Sequence, residues 1–133
     1  NMSKKYVYAT GRRKRAIARV RLFTGKGDHE VNDLPVSKYF PGSVNQGLFL
    51  EPFKICNVLE KYYVTVKVLG SGKSSQLDAT IHGIARTLIK VNEEKFKPIL
   101  KKKGLVTRDP RKRERRKAGM GGSARRKRQS PKR

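Results

Sequence analysis

Three stretches of this chain alternate apolar and polar residues with the two-residue period of a half-buried strand. Residues 6–10, Tyr-Val-Tyr-Ala-Thr, alternate and are rich in β-formers, which predicts a first strand. From Ala16 to Phe23, Ala18, Val20 and Leu22 share one face, while Ile17, Arg19, Arg21 and Phe23 share the other. Between these runs, Gly11 and the four cations that follow it read as a kink. Tyr62 to Leu69 is the clearest strand, with Val64, Val66 and Val68 on one side and Tyr63, Thr65 and Lys67 on the other. Gly25-Lys26-Gly27 reads as a hairpin loop, with His29 to Asn32 as its short return strand.

Helical periodicity is strongest from Gln76 to Val91, where Leu77, Ile81, Ile84, Ala85 and Leu88 form an apolar stripe. Asp78, His82, Arg86 and Lys90 form the opposite stripe at intervals of four. Gly83 costs this helix about 1 kcal/mol against Ala, which implies close packing there. Leu34 to Phe40 reads as a turn and a short helix ended by Pro41-Gly42. Ser43 can cap a second short helix to Leu50. Glu51-Pro52 then restarts the chain, with Phe53, Cys56 and Leu59 at helical spacing. Glu93 and Glu94 precede Lys101 to Lys103, the polarity that a helix dipole favours. Pro98 is expected to break or kink this segment, and Gly104 to stop it. Asp109-Pro110 reads as an N-cap and first residue of a short basic helix to Lys117. Gly119 to Gly122 then acts as a flexible joint.

Charge changes this picture at both ends. The 133 residues carry 34 Lys and Arg against 10 Asp and Glu, a formal net charge of +24. Residues 1–21 hold eight cations and no acid, and residues 108–133 hold thirteen cations against Asp109 and Glu114 alone. The tail has almost nothing apolar to offset its ordering entropy. The expected organisation is a body over residues 1–107 with a basic N-terminal segment, and an extended tail over 108–133 that is disordered when free. Such ends call for a neutralising polyanion, with nucleic acid first. The expected phosphate contacts are Arg12, Arg13, Lys14, Arg15, Arg19 and Arg21, then Arg108, Arg111, Lys112, Arg113, Arg115, Arg116 and Lys117, and beyond the joint Arg125, Arg126, Lys127 and Arg128. The planar fork of arginine matches phosphate oxygens and stacks on bases.

Other chemistries find little support. Cys56 is alone, so no intramolecular disulfide forms and a reducing compartment is expected. No apolar run approaches a membrane span, and no signal-peptide core precedes the first strand. Gly72-Lys73-Ser74 evokes a phosphate-binding loop, but Lys67 stands where that motif requires glycine. Two readings stay open: a loop whose bare backbone approaches a phosphate, or an ordinary strand-to-helix connection. His29, His82 and Cys56 are too few for a metal site, and no acid-base set is present. His82 belongs either to a surface hydrogen-bond line or to an RNA contact. The chain is therefore expected to be no enzyme, with no cofactor, metal or small-molecule substrate. No base-reading motif is present, which favours folded RNA bound by shape and phosphate. A free-standing nucleic-acid-compacting protein is the alternative.

The order of motifs resembles one family. Tyr8-Ala-Thr-Gly-Arg-Arg-Lys14, followed by Ala16 to Leu22, is similar to the opening of small-subunit ribosomal protein nine. So are Val31-Asn32 leading to Tyr39-Phe40, the Tyr63 to Lys67 strand with its glycine loop, and His82-Gly-Ile-Ala-Arg86. Gly104 to Asp109 and the terminal Lys132-Arg133 complete the series. Two features depart from that family: Val68-Leu69-Gly70 replaces a fuller glycine loop and Ile81 an arginine, and Arg128 to Pro131 lacks an aromatic residue. The resemblance implies an α+β body like the second domain of small-subunit ribosomal protein five, its sheet containing antiparallel strands and its helices on one side. It further implies binding to small-subunit rRNA of the head, in the 3′ major domain, beside neighbouring head proteins. The tail would thread toward the peptidyl site, where Lys132 and Arg133 would touch the bound tRNA. The expected setting is the cytoplasmic ribosome of a bacterium, or alternatively an organellar ribosome.

Overall fold

A computed structural model of the chain describes residues 5–105. Strand β1 (Val7–Arg13) pairs antiparallel with β2 (Ala16–Thr24), and β2 pairs antiparallel with β5 (Tyr62–Leu69). Two-residue strands β3 (Glu30–Val31) and β4 (Leu34–Pro35) complete a sheet of order β1-β2-β5-β3-β4. Helices α1 (Val36–Tyr39), α2 (Ser43–Ile55), α3 (Lys73–Val91) and α4 (Glu93–Lys102) accompany it, so the body is α+β as expected.

Alternation fixes which sheet face is covered. Ala16, Ala18, Val20 and Leu22 on β2, with Val64, Val66 and Val68 on β5, are buried. Leu77, Ile84, Ala85 and Leu88 of α3 join them in one core with Phe49 and Phe53 of α2 and Phe96 and Leu100 of α4. Each large side chain buried there contributes about 1.5–3 kcal/mol. Thr80 and Thr87 are buried among these residues, and their hydroxyls donate to the carbonyls of Gln76 and Ile84 at 2.8 and 2.6 Å. Buried hydroxyls are thus satisfied locally.

Several expectations need correction. Gly11 makes no kink: β1 continues through Arg13 and turns at Lys14-Arg15, where Lys14 takes φ 56°. The segment from His29 is no hairpin return. Both sides of β2 are occupied by β1 and β5, so β3 runs parallel to β5 on its far edge. Asn32 extends that parallel ladder with its side-chain amide, which donates to the Val68 carbonyl and accepts from the Val68 N–H, each at 2.9 Å.

Helix α2 runs unbroken to Ile55 through Pro52, and its N-cap is Gly42 rather than Ser43. Burial of Phe49, Pro52 and Phe53 on one side outweighs the missing N–H of the proline. Pro98 likewise lies inside α4, which Phe96 and Leu100 hold against the core. Asn92 caps α4 by accepting from the Lys95 N–H at 3.2 Å. Gly104 does stop α4: at φ 78° its N–H bonds the Lys101 carbonyl while that of Leu105 reaches Leu100, both at 3.0 Å. That pair is a Schellman motif. Helix α3 starts at Lys73, three residues earlier than its apolar stripe predicts.

Candidate nucleic-acid interface

The uncovered sheet face gathers cations that the chain keeps apart. The β1–β2 register sets Tyr8 opposite Arg21, Thr10 opposite Arg19 and Arg12 opposite Ile17. The β2–β5 register continues these rows to Thr65, Lys67 and Leu69. Arg12, Arg19, Arg21 and Lys67 are all exposed. The three strands β1, β2 and β5 contain no acidic residue. Arg19 faces Lys67 directly across the strands, a like-charge pairing that destabilises a sheet. Lys67 is balanced by Asp33 at 2.8 Å; no charge partner accompanies Arg19 among the described residues.

An aromatic group closes one end of this face. Phe23 stacks on Tyr63 with centroids 5.2 Å apart, and Tyr6 tilts onto Phe23 at 5.6 Å. The Arg21 guanidinium lies 5.0 Å from the centre of the Tyr6 ring. Phe23 is thereby buried, whereas Tyr6 and Tyr8 remain 46% and 41% exposed.

Not all of the expected N-terminal contacts share this face. Arg13 turns toward α3 and meets Asp78 at 3.6 Å. Lys14 and Arg15 project at the hairpin tip, both exposed. Arg108, Arg111, Lys112, Arg113, Arg115, Arg116, Lys117, Arg125, Arg126, Lys127, Arg128, Lys132 and Arg133 lie outside the described residues. Sequence reasoning missed Lys67, Tyr6 and Tyr8 as companions of the arginines. Reading the three alternating strands together, in register, could have found them.

The polar stripe of α3 lies along the outer edge of β1. Lys90 donates to the Tyr8 carbonyl at 2.6 Å and Arg86 to the Thr10 carbonyl at 2.9 Å, and the Arg12 backbone beside the His82 ring favours its protonated form. A helix advances about 6.0 Å in four residues and a strand about 6.8 Å in two, so the steps nearly match. The stripe is thus a hydrogen-bond line that satisfies the edge of the sheet. Burial lowers the pKa of His82, opposed mainly by nearby Asp78.

The loop after β5 is an ordinary connection in this fold. Lys73 donates to the Tyr39 carbonyl at 3.1 Å and lies 4.1 Å from the centre of the Tyr39 ring. Tyr39 in turn donates to Gln76 at 2.6 Å. The cation is therefore turned back onto the protein. Elsewhere, Lys26, Asp28, His29 and Glu60 rim a depression of about 560 Å³. His29 stacks on Phe53 at 4.9 Å and accepts from the Val64 N–H at 3.3 Å; burial lowers its pKa. Cys56 is buried, which pushes its thiol up to about 11. Among the described residues no His, Cys, Asp and Glu group could hold a metal ion, and no helix is long and apolar enough to cross a membrane.

A small α+β body whose three long strands carry cations and no acid on the open face defines a class of structural ribonucleoprotein component. Its sequence matches the profile of the family described as ribosomal protein S9/S16 over residues 11–133, and the chain belongs to that family. It is 46% identical to the small ribosomal subunit protein uS9 of Maridesulfovibrio salexigens over 92% of this chain and 93% of that one. The namesake proteins of Lawsonia intracellularis and Desulfovibrio desulfuricans are 43% and 42% identical, each over 90% of this chain and 91% of theirs. The chain is accordingly a structural component of the small ribosomal subunit that serves translation, and not an enzyme.

Proposed function

We propose that the body anchors the chain on small-subunit rRNA of the head, in the 3′ major domain, and that residues 108–133 form a tail reaching the P-site tRNA. The observation that carries this reading is the convergence of Arg12, Arg19 and Arg21 on one face of β1 and β2, two strands that contain no acid. Lys14 and Arg15 extend the contact at the hairpin tip, and Arg13 flanks it. Within the tail, Arg108 to Lys117 and Arg125 to Arg128 hold rRNA phosphates, and Lys132 and Arg133 contact the tRNA. Neighbouring head proteins complete the surroundings, in the cytoplasmic ribosome that the bacterial relatives suggest.

About eight neutralised phosphates would give a log-log salt slope near −6 to −7. A tagged chain should sediment with small subunits on a sucrose gradient; a chain confined to the soluble fractions overturns the reading. Crosslinks to rRNA should fall in the 3′ major domain. Removing Lys132 and Arg133 should leave assembly intact and weaken tRNA retention at the peptidyl site. Unchanged tRNA affinity would remove the tRNA role alone.

A further inference from the structure

We infer that the aromatic end of the open sheet face is a stacking site for an unpaired RNA base, held beside the phosphate-binding arginines. This rests on the rRNA-binding reading and goes beyond phosphate contact to recognition of a base. Tyr6 and Tyr8 lie two residues apart, about 6.8 Å along the strand, and are exposed on the same side of β1. Their surroundings select a nucleotide over other occupants. Arg21 sits opposite Tyr8 and over the Tyr6 ring, and Arg19 follows on the same face. With no acid on β1, β2 or β5, the face complements a polyanion. A base has a π-face for tyrosine and guanidinium, and its own phosphates bring the counter-charge.

The platform is also rigid. Phe23 is only 8% exposed, clamped between Tyr6 and Tyr63. A Cβ on Gly27 would come within 2.8 Å of the Tyr63 ring, so the loop after β2 presses closely on it. A preorganised aromatic surface loses little entropy when a base settles on it. Lys67 is held by Asp33, which leaves Arg19, opposite it on β2, as the cation of this row open to an anion.

The test uses the full chain and a small-subunit rRNA fragment spanning the 3′ major domain, with binding measured at several salt concentrations. Replacing both Tyr6 and Tyr8 by Leu should weaken binding about 5- to 150-fold for loss of one stacked base, with the salt slope unchanged. Replacing both by Phe should restore affinity, since the ring faces remain. Arg21→Gln should instead flatten the slope. Melting curves identify variants that keep the fold; should the Leu variant unfold, ultraviolet crosslinks in the unsubstituted complex provide the readout. These should join a nucleotide to the peptide carrying Tyr6 and Tyr8. Leu variants that fold and bind as tightly as the parent overturn the stacking site while leaving rRNA binding intact. So do crosslinks confined to residues 108–133, or a neighbouring protein found on the tyrosines in assembled subunits. Failure of the parent chain to bind the fragment overturns both readings.

Discussion

Gly11 of β1 and Gly83 of α3 meet backbone to backbone. A Cβ on Gly11 would stand 2.4 Å from the Gly83 nitrogen and 1.9 Å from the Ala79 carbonyl oxygen, and one on Gly83 would stand 3.2 Å from the Gly11 nitrogen. This contact lets α3 lie close enough to β1 for its polar stripe to reach the strand's edge. Gly11→Ala should therefore destabilise the fold by about 3 kcal/mol, because both clashes are with backbone. Gly83→Ala should cost less: its nearest clash, at 2.6 Å, is with a Val20 methyl, and the helix gains about 1 kcal/mol from alanine. Denaturant midpoints should rank Gly11→Ala lowest; equal midpoints for it and the parent would contradict the contact.

Asn32 serves β5 as a substitute peptide group. Asn32→Asp keeps an acceptor for the Val68 N–H but turns a carboxylate toward the Val68 carbonyl, where the amide now donates. The expected loss is about 2–3 kcal/mol. Hydrogen exchange at the Val68 amide should accelerate; unchanged protection there would argue against the pairing.

Acid should weaken the body through its two histidines. Burial lowers the pKa of His29 and of His82 in the folded state, below the value of about 6.5 expected when unfolded. Between those values the unfolded chain binds more protons, so stability falls as pH drops from about 6.5 toward the lowered folded pKa. Protonating His29 on Nδ1 also removes the acceptor for the Val64 N–H. Imidazole NMR titrations should show midpoints below 6.5 for both residues. A denaturation midpoint that stays level between pH 7 and pH 5 would refute the coupling.

The α3 stripe should matter to association as well as stability. Replacing Arg86 and Lys90 together by Ala leaves the outward carbonyls of Thr10 and Tyr8 without these donors. Each lost bond should cost about 1 kcal/mol, and the bared edge should promote strand-to-strand pairing. Sedimentation at increasing protein concentration should reveal oligomers absent from the parent; a variant that stays monomeric would show that the edge needs no such cover.

The sequence alone determined the three long strands, the main helix with its two stripes, the stop at Gly104, and the division of charge between body and ends. These are local matters of period, propensity and charge, written within a few residues of where they act. Its ordered motifs also led to the right family. Only the tertiary structure decided what depends on neighbours distant in the chain. Gly11 looks like a breaker until α3 passes over it, and Pro52 and Pro98 look like helix ends until their phenylalanine neighbours are buried. The strand at Glu30–Val31 looks like a hairpin return until β5 takes that place beside β2. The same holds for the basic face. Arg12, Arg19 and Arg21 were legible as cations in the sequence, but cross-strand register brings them together with Lys67, Tyr6 and Tyr8, because alternation says which residues share a side without saying which strands lie side by side.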